Sequence, residues 1–124
     1  MQNNILEHYY ISNDIDCSGL PNFTPIGGSA TPFRGNLDGG FFTIRKLRIS
    51  SSSNYTGIFG SINNASIRNL ILEDFNVELL ASSRYFGVLA AQALSSNFYN
   101  IRIATSAEGS MNNITGNAVQ YCGV

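Results

Sequence analysis

The chain has 124 residues, 44% of them apolar and 12% charged, with seven basic against eight acidic side chains and a net charge of −1. That is one domain of near-neutral protein, and with Lys46 as its only lysine it lacks the basic excess that nucleic acid or an anionic lipid surface requires. The apolar fraction, with 11% aromatics, is enough to order a chain that turns often, which argues against disorder.

In chain order, Met1 to Tyr10 is polar and has neither the cationic start nor the apolar core of an export signal. Leu37-Asp38-Gly39-Gly40 sits between apolar segments and predicts a tight turn, because Asp-Gly tolerates positive φ. Ile44 to Ile49, Ile67 to Leu72 and Phe98 to Ile103 each place apolar residues first, fourth and sixth, 23 and then 31 residues apart. Between the fourth and sixth positions the alternation is that of a strand with one buried face, with Arg48 and Arg102 outward; Ile71 breaks the rule.

Ser50 to Ser53 reads as an exposed loop. A second pattern, Tyr-x-Gly-aliphatic, recurs at Tyr55-Thr56-Gly57-Ile58, Tyr85-Phe86-Gly87-Val88 and Tyr121-Cys122-Gly123-Val124, 30 and then 36 residues apart. Val77 to Leu94 is the best helical window, but it would hold Gly87 and Ser82-Ser83 in its interior and fits strand-turn-strand at least as well. The longest apolar stretch of the chain, Val88 to Leu94, includes Gln92 and is far short of the roughly 20 residues that cross a bilayer. Asn63-Asn64 and Asn112-Asn113 suit corners, since Asn enters the left-handed region readily. Asn69 and Asn100 hold equal repeat positions, which would stack them as a ladder of side-chain hydrogen bonds.

Repeats of this length built from short strands predict an all-β solenoid, each coil burying its inward side chains against the next. Propeller blades need four antiparallel strands and even spacing, which units varying from 23 to 36 residues do not offer.

Gly57-Ile58-Phe59-Gly60 followed by Ile67-Arg68-Asn69-Leu70 resembles the GLUG repeat of large bacterial surface and secreted proteins. Upstream, Tyr10 to Asp16, Pro25-Ile26-Gly27 and Phe33 to Gly39, with Ile44 and Leu47, are similar to the segment that opens such arrays in adhesin-like proteins. The resemblance implies a right-handed parallel β-helix with coils of variable length. It implies a single module over 1–124, with an opening segment at 9–49, a first repeat at 55–80, a second at 85–110 and the start of a third at 121–124. Two departures stand out: Ala90 replaces the last glycine of the second repeat, and Ala93 to Asn97 reads as an insertion. Because the third repeat stops at Gly123-Val124, the expectation is an uncapped C-terminal end and a piece of a longer protein. By resemblance its address is extracellular or at the cell surface.

Candidates for chemistry are few. His8, the only histidine, lies near a terminus, where a catalytic triad has little support. Asp14 and Asp16, two apart, could hold Ca²⁺ or do acid-base work, but in the resembled segment they end a strand and cap turn amides. Asp38 is likewise a turn residue. Glu73-Asp74 with Glu78 could bind a cation, and Arg45, Lys46, Arg48, Arg68 and Arg102 could form a basic stripe; a solvated face is the default for both. Tyr55, Tyr85 and Tyr121 could form an outward aromatic row that stacks on sugars, or turn inward as core. Four Asn-x-Ser/Thr sequons start at Asn22, Asn54, Asn64 and Asn113. Cys17 and Cys122 match no metal or redox spacing and read as small apolar residues.

No cofactor, metal, nucleic acid or membrane span is expected. The function expected is a non-catalytic structural or adhesive module, its structural motif residues Gly57, Gly60, Gly87, Asn69, Asn100, Asp38 and Gly39. Its expected partners are flanking domains, a host-cell protein or glycan, or its own copies through the solenoid ends. The other readings are part of a polysaccharide-active enzyme using Asp14, Asp16 or Asp38, and a self-assembling fibre subunit.

Overall fold

The computed structural model describes residues 5–80, 84–106, 111–116 and 121–122. Among them there is no helix, and every strand pairing is parallel. The first coil carries β1 (His8–Tyr10) and β2 (Ile15–Asp16), and the second β3 (Asn36–Asp38), β4 (Thr43–Arg45) and β5 (Arg48–Ser51). The third carries β6 (Tyr55–Thr56), β7 (Phe59–Asn63), β8 (Ser66–Glu73) and β9 (Asn76–Leu79). The fourth carries β10 (Tyr85–Phe86), β11 (Ala90–Leu94), β12 (Asn97–Ala104) and β13 (Asn113–Gly116), and β14 (Tyr121–Cys122) begins the next.

Like strands stack on like. The long sheet joins β1 to β3 and β2 to β4; β3 and β4 both pair with β8, and β12 covers β8. A second face is β5-β9-β13, and a third holds β6-β10-β14 beside β7-β11. Residues that bond from coil to coil lie 25 to 38 positions apart in the chain. This is the parallel β-solenoid that the sequence predicts.

One local rule builds the corners. Asn64, Asn69 and Asp74, five residues apart, all have φ between 52° and 54°. A left-handed residue advances the chain by one position without using a place in the two-residue alternation, so the side chains on both sides of it can point inward. Ile62, Ala65, Ile67, Leu70, Leu72, Phe75, Val77 and Leu79 therefore all reach the core of a single coil. The same device recurs at Phe41 and Lys46 in the coil before and at Ser95 and Asn100 in the coil after. The first-fourth-sixth spacing of Ile67, Leu70 and Leu72 is thus a bent strand with its corner at Asn69, and Ile71 lies half-buried on the outside.

The register corrects several sequence expectations. Ile44 pairs with Leu72 and not with Ile67, whose partner is Leu37. Four residues, Gly39 to Phe42, separate β3 from β4 where only Asn69 and Leu70 fill that place in the next coil, and this wider corner hides the true repeat. Asp38-Gly39 turns a corner between two strands that never pair with each other, and positive φ falls on Gly40 and Phe41. Ala90 pairs with Phe59, which places Ala91 opposite Gly60, and Ala93-Leu94 pairs with Ile62-Asn63, so Ala93 to Asn97 is regular strand and corner. Ser50 and Ser51 belong to β5, leaving Ser52 and Ser53 as the loop. His8 is fixed in β1 beside Asn36.

The core runs up the centre as aromatic and aliphatic columns, with Phe33 and Phe59 fully buried and their rings 5.0 Å apart. Thr43, Thr56 and Ser61 are buried polar members, and the Ser61 hydroxyl donates to Gln92 Oε1 at 3.1 Å. At the N-terminal end an apolar cavity of about 380 Å³ is lined in part by Cys17, Leu20, Phe23 and Ile44. On the last coil Phe98, Ile103 and Ile114 continue the strand columns but are 39%, 48% and 47% exposed.

Candidate functional site

Tyr55 and Tyr85 stand in register on the third face and stack at 4.7 Å with their rings 4° from parallel. Tyr121 continues the register in β14, while its side chain lies outside the described residues. Thr56 and Phe86, the next residues along, point into the core, so the tyrosines form the half-buried outer row. Each ring covers one face of the other.

The expected asparagine ladder is present and longer than the sequence indicated. Asn100 Nδ2 donates to Asn69 Oδ1 at 3.1 Å, and Asn69 Nδ2 donates to Asp38 Oδ1 at 3.1 Å. Asp38 Oδ1 also accepts from the Gly40 amide at 2.9 Å, and Oδ2 accepts from Arg68 Nε at 2.9 Å. These bonds, the Gly40 amide first and Asn69 next, hold the Asp38 carboxyl below its ordinary value. Gly39 is needed beside it because a Cβ there would meet the Asn69 carbonyl of the next coil and lie 2.8 Å from Leu70 Cα. Asp38 joined the ladder unseen because the corner before β4 is two residues longer than its successor.

Asn69→Ala loses both ladder bonds and places a Cβ residue without Asn's local hydrogen bonds at φ 54°. It should cost about 2 kcal/mol, and Asn69→Gly, which keeps the φ, about half of that. Urea denaturation followed by circular dichroism checks the order; a glycine variant less stable than the alanine variant would contradict it.

The other candidate acids are held by structural partners, Asp14 and Glu73 sharing Arg45. Asp14 Oδ1 accepts from the Thr43 amide at 2.8 Å and its Oδ2 lies 3.5 Å from Arg45, which also lies 3.7 Å from Glu73. Asp16 caps the Ser18 amide at 2.8 Å and lies 3.7 Å from Lys46. Asp74 accepts from both the amide and the hydroxyl of Ser106, and Glu78 accepts from Ser50 at 3.0 Å. Among the described residues no three acids, cysteines or histidines gather as a metal site. The basic stripe is also absent: Arg45 stacks beside Glu73, Arg68 beside Asp38 and Arg48 beside Asn76, so opposite or neutral side chains follow one another up the stack.

Asp16, Asp38 and Asp74 all have lowered pKa values, set first by the hydrogen bonds from Ser18, Gly40 and Ser106. A carboxyl lowered on folding adds stability above its unfolded value and loses it as the pH falls through that value toward the folded one. The urea midpoint should therefore hold on acidification until about pH 5 and fall through the ordinary value of 3.8. A midpoint that rises over that range would contradict these contacts.

Cys17 is a free thiol, half-buried and pushed up in pKa by burial and then by Asp16; the Cys122 side chain lies outside the described residues. Asn22 exchanges two hydrogen bonds with the Ser50 backbone at 2.7 and 3.1 Å, imitating a strand rung. On the outer face of the long sheet lies a groove of about 350 Å³, lined by His8, Tyr10, Asn36, Asp38, Ser66 and Arg68 together with Tyr9.

No family model matches the chain, and no solved structure matches it. A protein of Evansella cellulosilytica named "Putative Gly-rich membrane protein" is 31% identical over 108 residues. The match covers 82% of this chain and 12% of that protein, so the chain corresponds to a small part of its relative. Among the described residues no helix is long and apolar enough to cross a membrane.

Proposed function

We propose that the chain is a non-catalytic structural and adhesive solenoid module of a larger surface or secreted protein. One observation carries this reading: the candidate acids Asp14, Asp16, Asp38, Glu73 and Asp74 bind groups of their own or neighbouring coils and hold the stack together. The relative named as a membrane protein, of which the match spans 12%, supports a place within a long chain at the cell boundary. Flanking domains of that chain are the first partners, and a host-cell protein or glycan the ligand. Protease shaving of intact cells followed by mass spectrometry is the test. Peptides of this region should be released from outside, on a polypeptide much longer than 124 residues. A free intracellular product of this size would contradict the proposal.

A second reading, coil-on-coil association of copies, is favoured by the exposure of Phe98, Ile103 and Ile114 on the last coil. Light scattering that stays monomeric at high concentration would exclude it.

A further inference from the structure

Two outward columns cross the four rungs of the long sheet. One reads His8, Asn36, Ser66, Asn97, and the other Tyr10, Asp38, Arg68, Tyr99. Each of these residues is two positions from its neighbour along the strand, so all eight side chains share the outer face. The second column begins and ends on a tyrosine, and these are among the most exposed large side chains, Tyr10 at 66% and Tyr99 at 67%. With strands about 4.8 Å apart, the two lie roughly 14 Å from each other. The groove of about 350 Å³ runs along the first three of these rungs, from Tyr10 toward Tyr99.

We propose that this face binds a neutral oligosaccharide laid across the coils. This rests on the adhesive reading above and names its ligand. Sugars present apolar C–H faces and hydroxyls that both donate and accept. An exposed tyrosine offers a flat apolar face with a polar tip, and amide and guanidinium groups offer planar sets of donors and acceptors. Tyr10 and Tyr99 supply the faces, and Asn36, Asn97, His8 and Arg68 the polar set.

Charge selects a neutral ligand over a polyanion. Asp38 holds Arg68 through Nε at 2.9 Å, which neutralises the groove's guanidinium and fixes its plane while its terminal nitrogens remain to donate. Both Asp38 oxygens are already engaged by Gly40, Asn69 and Arg68, so Asp38 is a positioning residue. The Tyr55–Tyr85 pair is the weaker platform because its rings cover each other.

The test is a titration of the ¹⁵N-labelled chain, watched by NMR, with cellohexaose, xylohexaose, mannohexaose and hexa-N-acetylchitohexaose, and separately with heparin and polygalacturonate. At least one neutral hexasaccharide should shift amides of β1, β3, β8 and β12. Tyr10→Ala, Tyr99→Ala and Arg68→Gln should each weaken binding tenfold or more while the spectrum stays folded, and Tyr55→Ala should leave it unchanged. Binding of the polyanions alone, shifts confined to β6 and β10, or no shift with any neutral sugar would overturn the proposal. A chain that is shaved from the cell surface yet binds none of the neutral sugars removes this inference and leaves the surface-module reading standing. A chain that binds them but resides inside the cell does the reverse.

Discussion

Gly57→Val should destabilise the fold by about 3 kcal/mol or more, enough to leave much of the chain unfolded at physiological temperature. A Cβ on Gly57 would meet the carbonyl oxygen of Gly87 in the next coil closer than side-chain atoms ever approach, with the Phe59 carbonyl at 3.0 Å and the Ala91 amide at 3.4 Å. These neighbours are backbone, fixed by coil-to-coil hydrogen bonds such as the Gly87 amide to the Thr56 carbonyl at 3.1 Å. No rotamer change relieves the clash, so the coils must separate. Gly60 is in the same position against the carbonyl of Gly27 in the coil before. Ser52→Val, in the exposed turn after β5, is the control and should change stability by no more than about 0.5 kcal/mol. Urea midpoints measured by circular dichroism compare the two, and equal values would refute the coil-to-coil contact at Gly57.

Phe59→Ala should cost about 3 to 5 kcal/mol. Phe59 is fully buried in β7, pairs in register with Ala90 on one side and Ile26 on the other, and packs its ring on Phe33 of the preceding coil. Removing the ring leaves a cavity in the middle of the column, where hydrogen-bonded strands on both sides prevent collapse. Phe41→Ala removes an equal ring that is 64% exposed and should cost about 0.5 kcal/mol or less. Similar losses for the two in urea denaturation would show that the core column is misplaced.

The architecture was legible because a solenoid writes its period into the chain. Tyr55 over Tyr85, Ile67 over Phe98 and Asn69 beside Asn100 are read correctly from the sequence, since those coils have matching corners. The register fails where corner lengths change. Gly39 to Phe42 widens one corner and Val88 adds a residue to another, and neither change alters the local apolar pattern from which the alignment is made. Repeated motifs therefore locate coils more reliably than they locate insertions.

The site was less legible for a related reason. The columns Tyr10–Asp38–Arg68–Tyr99 and His8–Asn36–Ser66–Asn97 join residues of several different types, about 28 to 31 positions apart, and no repeat links them. Only the correct register brings them to one face. Arg68 sits beside Asp38 and Arg45 beside Glu73, so these charges are structural pairs and do not line up as a basic stripe.

Strand register, read by NMR as backbone contacts between neighbouring strands of the labelled chain, tests the stacked-coil fold most directly. The structure predicts contacts along Leu37–Ile67–Phe98 and along Ile44–Leu72–Ile103, all parallel. Contacts linking Ile44 to Ile67, or any antiparallel pattern among these strands, would contradict it.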